Sequence, residues 1–135
     1  MTALRPLAFA AVSCVALPAL AELTPVTVPS GQPVSYVDMV WGQPGPTGLT
    51  ARFRFVAPDI RREAPGMTFD QAEPDMLFLC ESFALPRLAV TGPRPAQIVI
   101  SLSDRLVEFG QPNPDATQFF EAYRPEGTTC IWEEF

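Results

Sequence analysis

The sequence predicts a single small α+β domain in the order β-β-α-β-β-α-β, with two helices packed on a mostly antiparallel sheet and one disulfide. Three observations predict it. Several short segments alternate apolar and polar residues, as half-buried strands do. Two segments carry apolar residues at helical spacing instead. Two cysteines, Cys80 and Cys130, remain once the first 21 residues are set aside. A length of 135 residues holds one domain and excludes a large cofactor enzyme with separate binding and catalytic domains. Hydrophobic residues make up 47% of the chain, enough for a packed core despite 16 prolines.

Residues 1–21 read as a cleavable secretory signal. Arg5 precedes an apolar run from Leu7 to Leu17, Pro18 breaks the run, and Ala19-Leu20-Ala21 supplies small residues where a signal peptidase cuts. The run is too short for a comfortable membrane span. Cys14 raises lipidation as an alternative, but the apolar run continues past it. Cleavage before Glu22 leaves residues 22–135 as the globular domain, with 8 Arg against 15 acids and a formal charge of −7. The expected location is periplasmic or secreted, with no stable membrane insertion after cleavage. An acidic chain without Lys is a poor ligand for nucleic acid, which needs several cations to displace condensed counterions.

The elements follow in order. Residues 22–33 form an extended lead-in, with Thr27-Val28 a candidate edge strand. Val34 to Trp41 is a strand, Gly42 to Gly48 a turn-rich loop, and Leu49 to Val56 the clearest strand. There Leu49, Ala51, Phe53 and Phe55 share one face and Thr50, Arg52, Arg54 and Val56 the other. A helix starts near Phe69 or Pro74 and runs to about Leu85, with Met76, Leu77, Cys80, Phe83 and Ala84 as its apolar stripe and Pro86 as its end. Gln97 to Leu102 is near-continuously apolar, as in a strand buried on both faces. Leu106 to Phe109 is its candidate partner strand. Asn113, Pro114 and Asp115 then signal a second helix, carried by Ala116, Phe119, Phe120 and Tyr123 and stopped by Pro125 and Gly127. Thr128 to Phe135 is a last strand, with Cys130 and Trp132 on one face.

An exported chain with an even cysteine count is read as disulfide-bonded, here between Cys80 and Cys130. A redox pair and free or intermolecular thiols are the alternatives. Redox pairs sit close in sequence, and these do not. If the bond forms, the first helix covers the last strand and Trp132 packs beneath it.

Certain stretches look familiar: Leu49 to Pro58 (LTARFRFVAP), Asp75 to Leu88 (DMLFLCESFALPRL), Gln97 to Gly110 (QIVISLSDRLVEFG), Ala116 to Tyr123 (ATQFFEAY) and Cys130 to Phe135 (CIWEEF). Together they resemble a family of small exported bacterial proteins known only as a domain of unknown function. The resemblance spans nearly all of residues 22–135. It implies export and the cysteine pair, and it carries over no catalytic residue. Members sometimes bear the label acetolactate synthase, which does not suit these residues. That chemistry needs a thiamine cofactor and a large multi-domain enzyme.

No His removes Ser-His-Asp and Cys-His mechanisms, and no Lys removes Schiff bases. Zinc is disfavoured without His, and no phosphate- or dinucleotide-binding signature is present. No cofactor, metal or catalytic residue is therefore assigned, and carboxylate pairs remain the one open catalytic chemistry. Two polar groups are candidate binding residues. Ser103, Asp104, Arg105 and Glu108 follow a buried strand and lie where the sheet meets solvent, a typical recognition position. The alternative is a plain turn with Arg105 paired to Glu108. Arg52 and Arg54 project from one strand face and, with Arg61 and Arg62, give residues 51–62 a net +3, whereas residues 108–135 carry −5. The arginines can dock an anionic ligand or pair with acids inside the fold.

These readings point to a non-enzymatic binding or interaction module of the cell envelope. Its partner would be another envelope protein or a small anionic ligand. An inhibitor-type partner of a secreted enzyme and a small carboxylate hydrolase are the alternatives.

Overall fold

The alternation in β3 (Thr50–Val56) organises the molecule: Ala51, Phe53 and Phe55 are buried on one face, and the residues between them are half-buried on the other. The computed structural model describes residues 23–42, 48–90 and 92–134; the expected signal peptide and most of the Gly42 to Gly48 turn lie outside them. β1 (Thr24–Val26), β2 (Val34–Trp41), β3, β4 (Gln97–Ser103), β5 (Gln118–Glu126) and β6 (Thr129–Glu133) form one six-stranded sheet in sequential order. β3 and β4 pair in parallel, in register from Thr50↔Gln97 to Val56↔Ser103, and the other four neighbours pair antiparallel.

A parallel neighbour needs a crossover, and here it is helical. Helix α1 begins at Phe69–Phe78, continues through wider π turns over Leu79–Ala84 and closes with an α turn over Leu85–Leu88. Thr68 caps it: its hydroxyl accepts from the Gln71 N–H, and the Gln71 side chain accepts from the Thr68 N–H. The π turns lie just before Pro86, which cannot donate an N–H and crowds the carbonyl four residues back. The helix therefore absorbs Pro86 rather than ending at it. No helix among the described residues is long and apolar enough to cross a membrane.

The core lies between the helix and one sheet face. Ala72, Met76, Leu79 and Ala84 pack on Phe53, Phe55, Ile98, Ile100 and Leu102, all at most 1% exposed. Tyr36, Phe53, Phe55 and Phe83 add an aromatic cluster with ring centroids 4.8–6.5 Å apart. Cys80 bonds to Cys130, tying the π segment to β6. At the opposite edge of the sheet, the buried Asp75 carboxylate accepts from Ser30 N at 2.9 Å, Ser30 Oγ at 2.5 Å and Gln32 Nε2 at 2.7 Å, fixing the β1–β2 turn to the helix.

The expected two-helix order is wrong: among the described residues the element order is β-β-β-α-β-β-β, with one long helix and a dominant mixed sheet. The segment taken for a second helix is β5. Its start signal is a turn, since Ala116 N donates to Asn113 O, and Pro at the second position of Asn113-Pro114 suits a turn as well as a helix start. From Gln118 the chain pairs with β4 and then β6, which satisfies backbone groups on both. Pro125 lies beyond the last β4 pair, where its missing N–H costs no bond to β4. Gly127 at φ 61° makes the two-residue turn into β6. Leu106 to Phe109, expected as a strand, belongs to a loop. Trp132 does not pack beneath the helix; it is 56% exposed, and its indole N–H donates to Glu121.

Candidate functional site

With the helix on one side, the opposite sheet face has no helical cover among the described residues. It presents Asp38 and Val40 from β2, Arg52 and Arg54 from β3, Val99, Ser101 and Ser103 from β4, and Gln118 and Phe120 from β5. A bulge at Val37 shifts the β2 register, so that Asp38 stands opposite Arg54. The loop between β4 and β5 folds back over part of this face. Its base is clasped twice, by Asp104 N donating to Thr117 O at 3.0 Å and Thr117 N donating to Asp104 Oδ1 at 3.1 Å. Its middle is held by Arg54 Nη2, which donates to Val107 O at 2.7 Å. Loop and sheet enclose a cavity of about 210 Å³.

Arg52, Arg54, Ser101, Ser103, Gln118 and Phe120 form the floor, and Arg105, Leu106, Val107, Glu108 and Phe109 form the overhang. The two polar groups singled out in the sequence, 52/54 and 103–108, are thus brought together although about 50 residues separate them. Asp104 does not line the cavity. Its carboxylate takes two bonds from Arg105, at 3.1 and 3.2 Å, besides the Thr117 N–H. The Arg105 hydrogen bonds hold the Asp104 carboxyl below its usual range, against the upward push of burial. Arg105 therefore pairs with Asp104, not with Glu108. Arg61 turns to Asp59 at 3.2 Å, and Arg62 donates to Pro114 O at 3.5 Å, so neither joins the cavity.

The two floor arginines differ. Arg54 is committed: its side chain is 13% exposed, its Nε lies 3.2 Å from Asp38 Oδ1, and it donates to Val107 O. Arg52 is not. Its guanidinium carbon lies 5.5 Å from the Phe120 ring centre and 5.8 Å from that of Phe109, and among the described residues it meets no carboxylate and no hydrogen-bond acceptor. Burial and then repulsion from Arg54 lower its pKa. Ser103 is 8% exposed, and its Oγ has no hydrogen-bond partner. A half-buried cation without a counter-charge and a buried hydroxyl without a partner share one concavity. Such a site can attract an anion, orient it with N–H and O–H groups, and shield it from water with aromatic rings.

Phe109, Ser101 and Asp38 were not singled out in the sequence as binding residues, and Phe120 was read as a core residue of the second helix. Phe109 and Phe120 sat in segments read as a strand and a helix, which hid that both face the arginines. Alternation in β2 signals that Asp38 is polar-facing, but the bulge that sets it opposite Arg54 left no mark. Among the described residues no cluster of three or more potential ligands is placed to hold a metal ion.

Neither the curated proteins nor the solved structures contain a match to the chain. Residues 9–135 match the Family of unknown function (DUF6497), and the chain belongs to that family.

Proposed function

We propose that this domain is an exported, disulfide-stabilised binding module that takes a small anionic ligand in the cavity between β3, β4 and the β4–β5 loop. One observation carries the reading: Arg52 keeps a half-buried guanidinium with no acceptor among the described residues. A buried charge normally has a partner, because desolvation otherwise disfavours it. Here the partner would be the ligand. The Cys80–Cys130 bond favours an oxidising compartment, and the start of the chain reads as a secretory signal. The groups facing the cavity suit binding more than bond-breaking. They are guanidiniums, hydroxyls, amides and the Glu108 carboxylate.

The full chain, expressed with its own start in a bacterial host, is expected in the periplasm with Glu22 as its N-terminus by mass spectrometry. Recovery of uncleaved protein in the cytosol contradicts export. For binding, ¹⁵N-labelled protein is titrated with acetate, sulfate and phosphate. The arginine Nε–H signals of Arg52 and Arg54 and the amides of Ser103 and Val107 are expected to move, and in Arg52→Gln the three that remain, Arg54 Nε–H and the Ser103 and Val107 amides, should stay still. Equal shifts in both proteins, or none in either, would remove the cavity from consideration.

A further inference from the structure

Resting on that reading, we infer that the ligand is a small monocarboxylate carried on an apolar, ring-sized body, with a hydrogen-bonding group at its far end. The charge count comes first. Arg54 is matched by Asp38 and Val107 O, and Arg105 by Asp104. That leaves Arg52 as the cavity-lining arginine without an acceptor among the described residues, facing a wall that also holds the Glu108 carboxylate. The guanidinium on the floor can meet one anionic group, and the exposed Glu108 carboxylate on the opposite wall opposes a second, so the pair of charges suits a monoanion. A phosphate monoester, carrying close to two charges, would bring a charge that nothing here answers.

The shape of the cation comes second. A guanidinium presents paired N–H donors in a planar fork, which matches the two oxygens of a carboxylate. The ring contacts of Arg52 are with Phe109 and Phe120 and leave those donors unused. The remaining wall comes third. Leu106, Phe109 and Phe120 make it largely apolar, and its polar members Ser101, Gln111 and Gln118 are uncharged, so the body attached to the carboxylate carries no second charge. The cavity, about 210 Å³, is smaller than the ~300–1,000 Å³ of drug-sized sites and holds roughly seven water volumes. That is room for one ring.

Ser103 sets the far end. Arg52 stands opposite Val99, and Ser103 lies four residues along β4, roughly 13 Å at ~3.3 Å per residue. The long Arg52 side chain spans part of that distance and a ring spans more. Ser103 Oγ is buried and unpartnered, and a turn about its Cα–Cβ bond toward the cavity would let it meet a hydroxyl or carbonyl on the ring.

The test titrates the full exported chain with benzoate, 4-hydroxybenzoate, benzamide, sulfate and phosphate, following the Arg52 Nε–H and Ser103 amide signals. Benzoate is expected to bind roughly tenfold or more tightly than benzamide, its uncharged counterpart, and Arg52→Gln should erase that difference. 4-Hydroxybenzoate should bind several-fold more tightly than benzoate, and Ser103→Ala should bring the two level. Backbone spectra of both variants that overlay on the parent away from the cavity show that the fold is kept. Sulfate or phosphate moving the Arg52 signal while benzoate does not overturns the carboxylate assignment and leaves an anion site. No anion moving it overturns the binding reading as well. Equal affinity for the two benzoates overturns the role given to Ser103.

Discussion

Glu121 shows how one side chain reports its surroundings. It is 6% exposed on the helix side of β5, accepts from the Trp132 indole N–H and faces Glu73. Burial raises its pKa, the Trp132 bond works against this, and Glu73 adds to the rise. A carboxyl whose folded value lies above its ordinary one contributes stability that is complete at pH below that ordinary value. The contribution is lost as pH rises through the folded value. Glu121→Gln keeps an acceptor for the indole without the charge. We expect its melting temperature to exceed the parent's at neutral pH and to converge with it near pH 4. An unchanged difference across that range would contradict the assignment. Asp104 runs the other way: its lowered folded value means its contribution holds above the ordinary range and is lost as pH falls through that value. Replacing it by Ala removes the acceptor for Thr117 N as well as the Arg105 pair. A loss of about 1–3 kcal/mol in urea unfolding is expected, with faster amide exchange at Thr117.

Strands and helix were unequally legible, and the reasons are local. β3 could be read because Phe53, Phe55, Arg52 and Arg54 alternate without a break, and β4 because Ile98 to Leu102 is apolar on both faces. Helix α1 was visible from its Met76–Cys80–Phe83 stripe, but its start was blurred by Pro74; Thr68-x-x-Gln71 was the better signal and carries a capping box. Thr68→Ala should cost about 1 kcal/mol, measured as a shift in the urea midpoint with unchanged slope. β5 was misread because Phe119, Phe120 and Tyr123 fit a 3.6-residue period as well as an aromatic-rich strand. The deciding factor, the bare edges of β4 and β6, lies 15 or more residues away on one side and across a hairpin on the other. The same misreading hid half of the cavity, since Phe120 reaches Arg52 only when the segment is extended. The staple joining these elements closes a span of 50 residues. The chain-entropy treatment values such a loop at roughly 4 kcal/mol. The double variant Cys80→Ser, Cys130→Ser should lose about that much, and the parent should lose as much under reducing conditions. A loss below about 1 kcal/mol would mean that helix packing, not the bond, holds β6.

At the scale of the whole molecule, one sheet divides two tasks. The helix side is filled by Phe53, Phe55, Met76, Leu79, Ile98, Ile100 and Leu102 and stabilises the fold. The far side carries its charges on the same strands, so Arg52 and Arg54 rest on a backbone that the core holds still. Sites built on strands are held more firmly than sites built on loops. The β4–β5 loop supplies the opposing wall, and its clasped base keeps that wall near the sheet. On the basic side, the electrical asymmetry seen in the sequence is met in part by local pairs, Arg54 with Asp38 and Arg61 with Asp59, each at 3.2 Å. Arg52 is the exception that the cavity encloses. The most direct measurement is a crystal structure of the exported protein soaked with 4-iodobenzoate, read by iodine anomalous signal. The account predicts a carboxylate within hydrogen-bond distance of the Arg52 guanidinium, with the iodine between the sheet and the loop near Ser103. A cavity empty at saturating ligand, with Arg52 turned to an acidic side chain of its own chain, would contradict it.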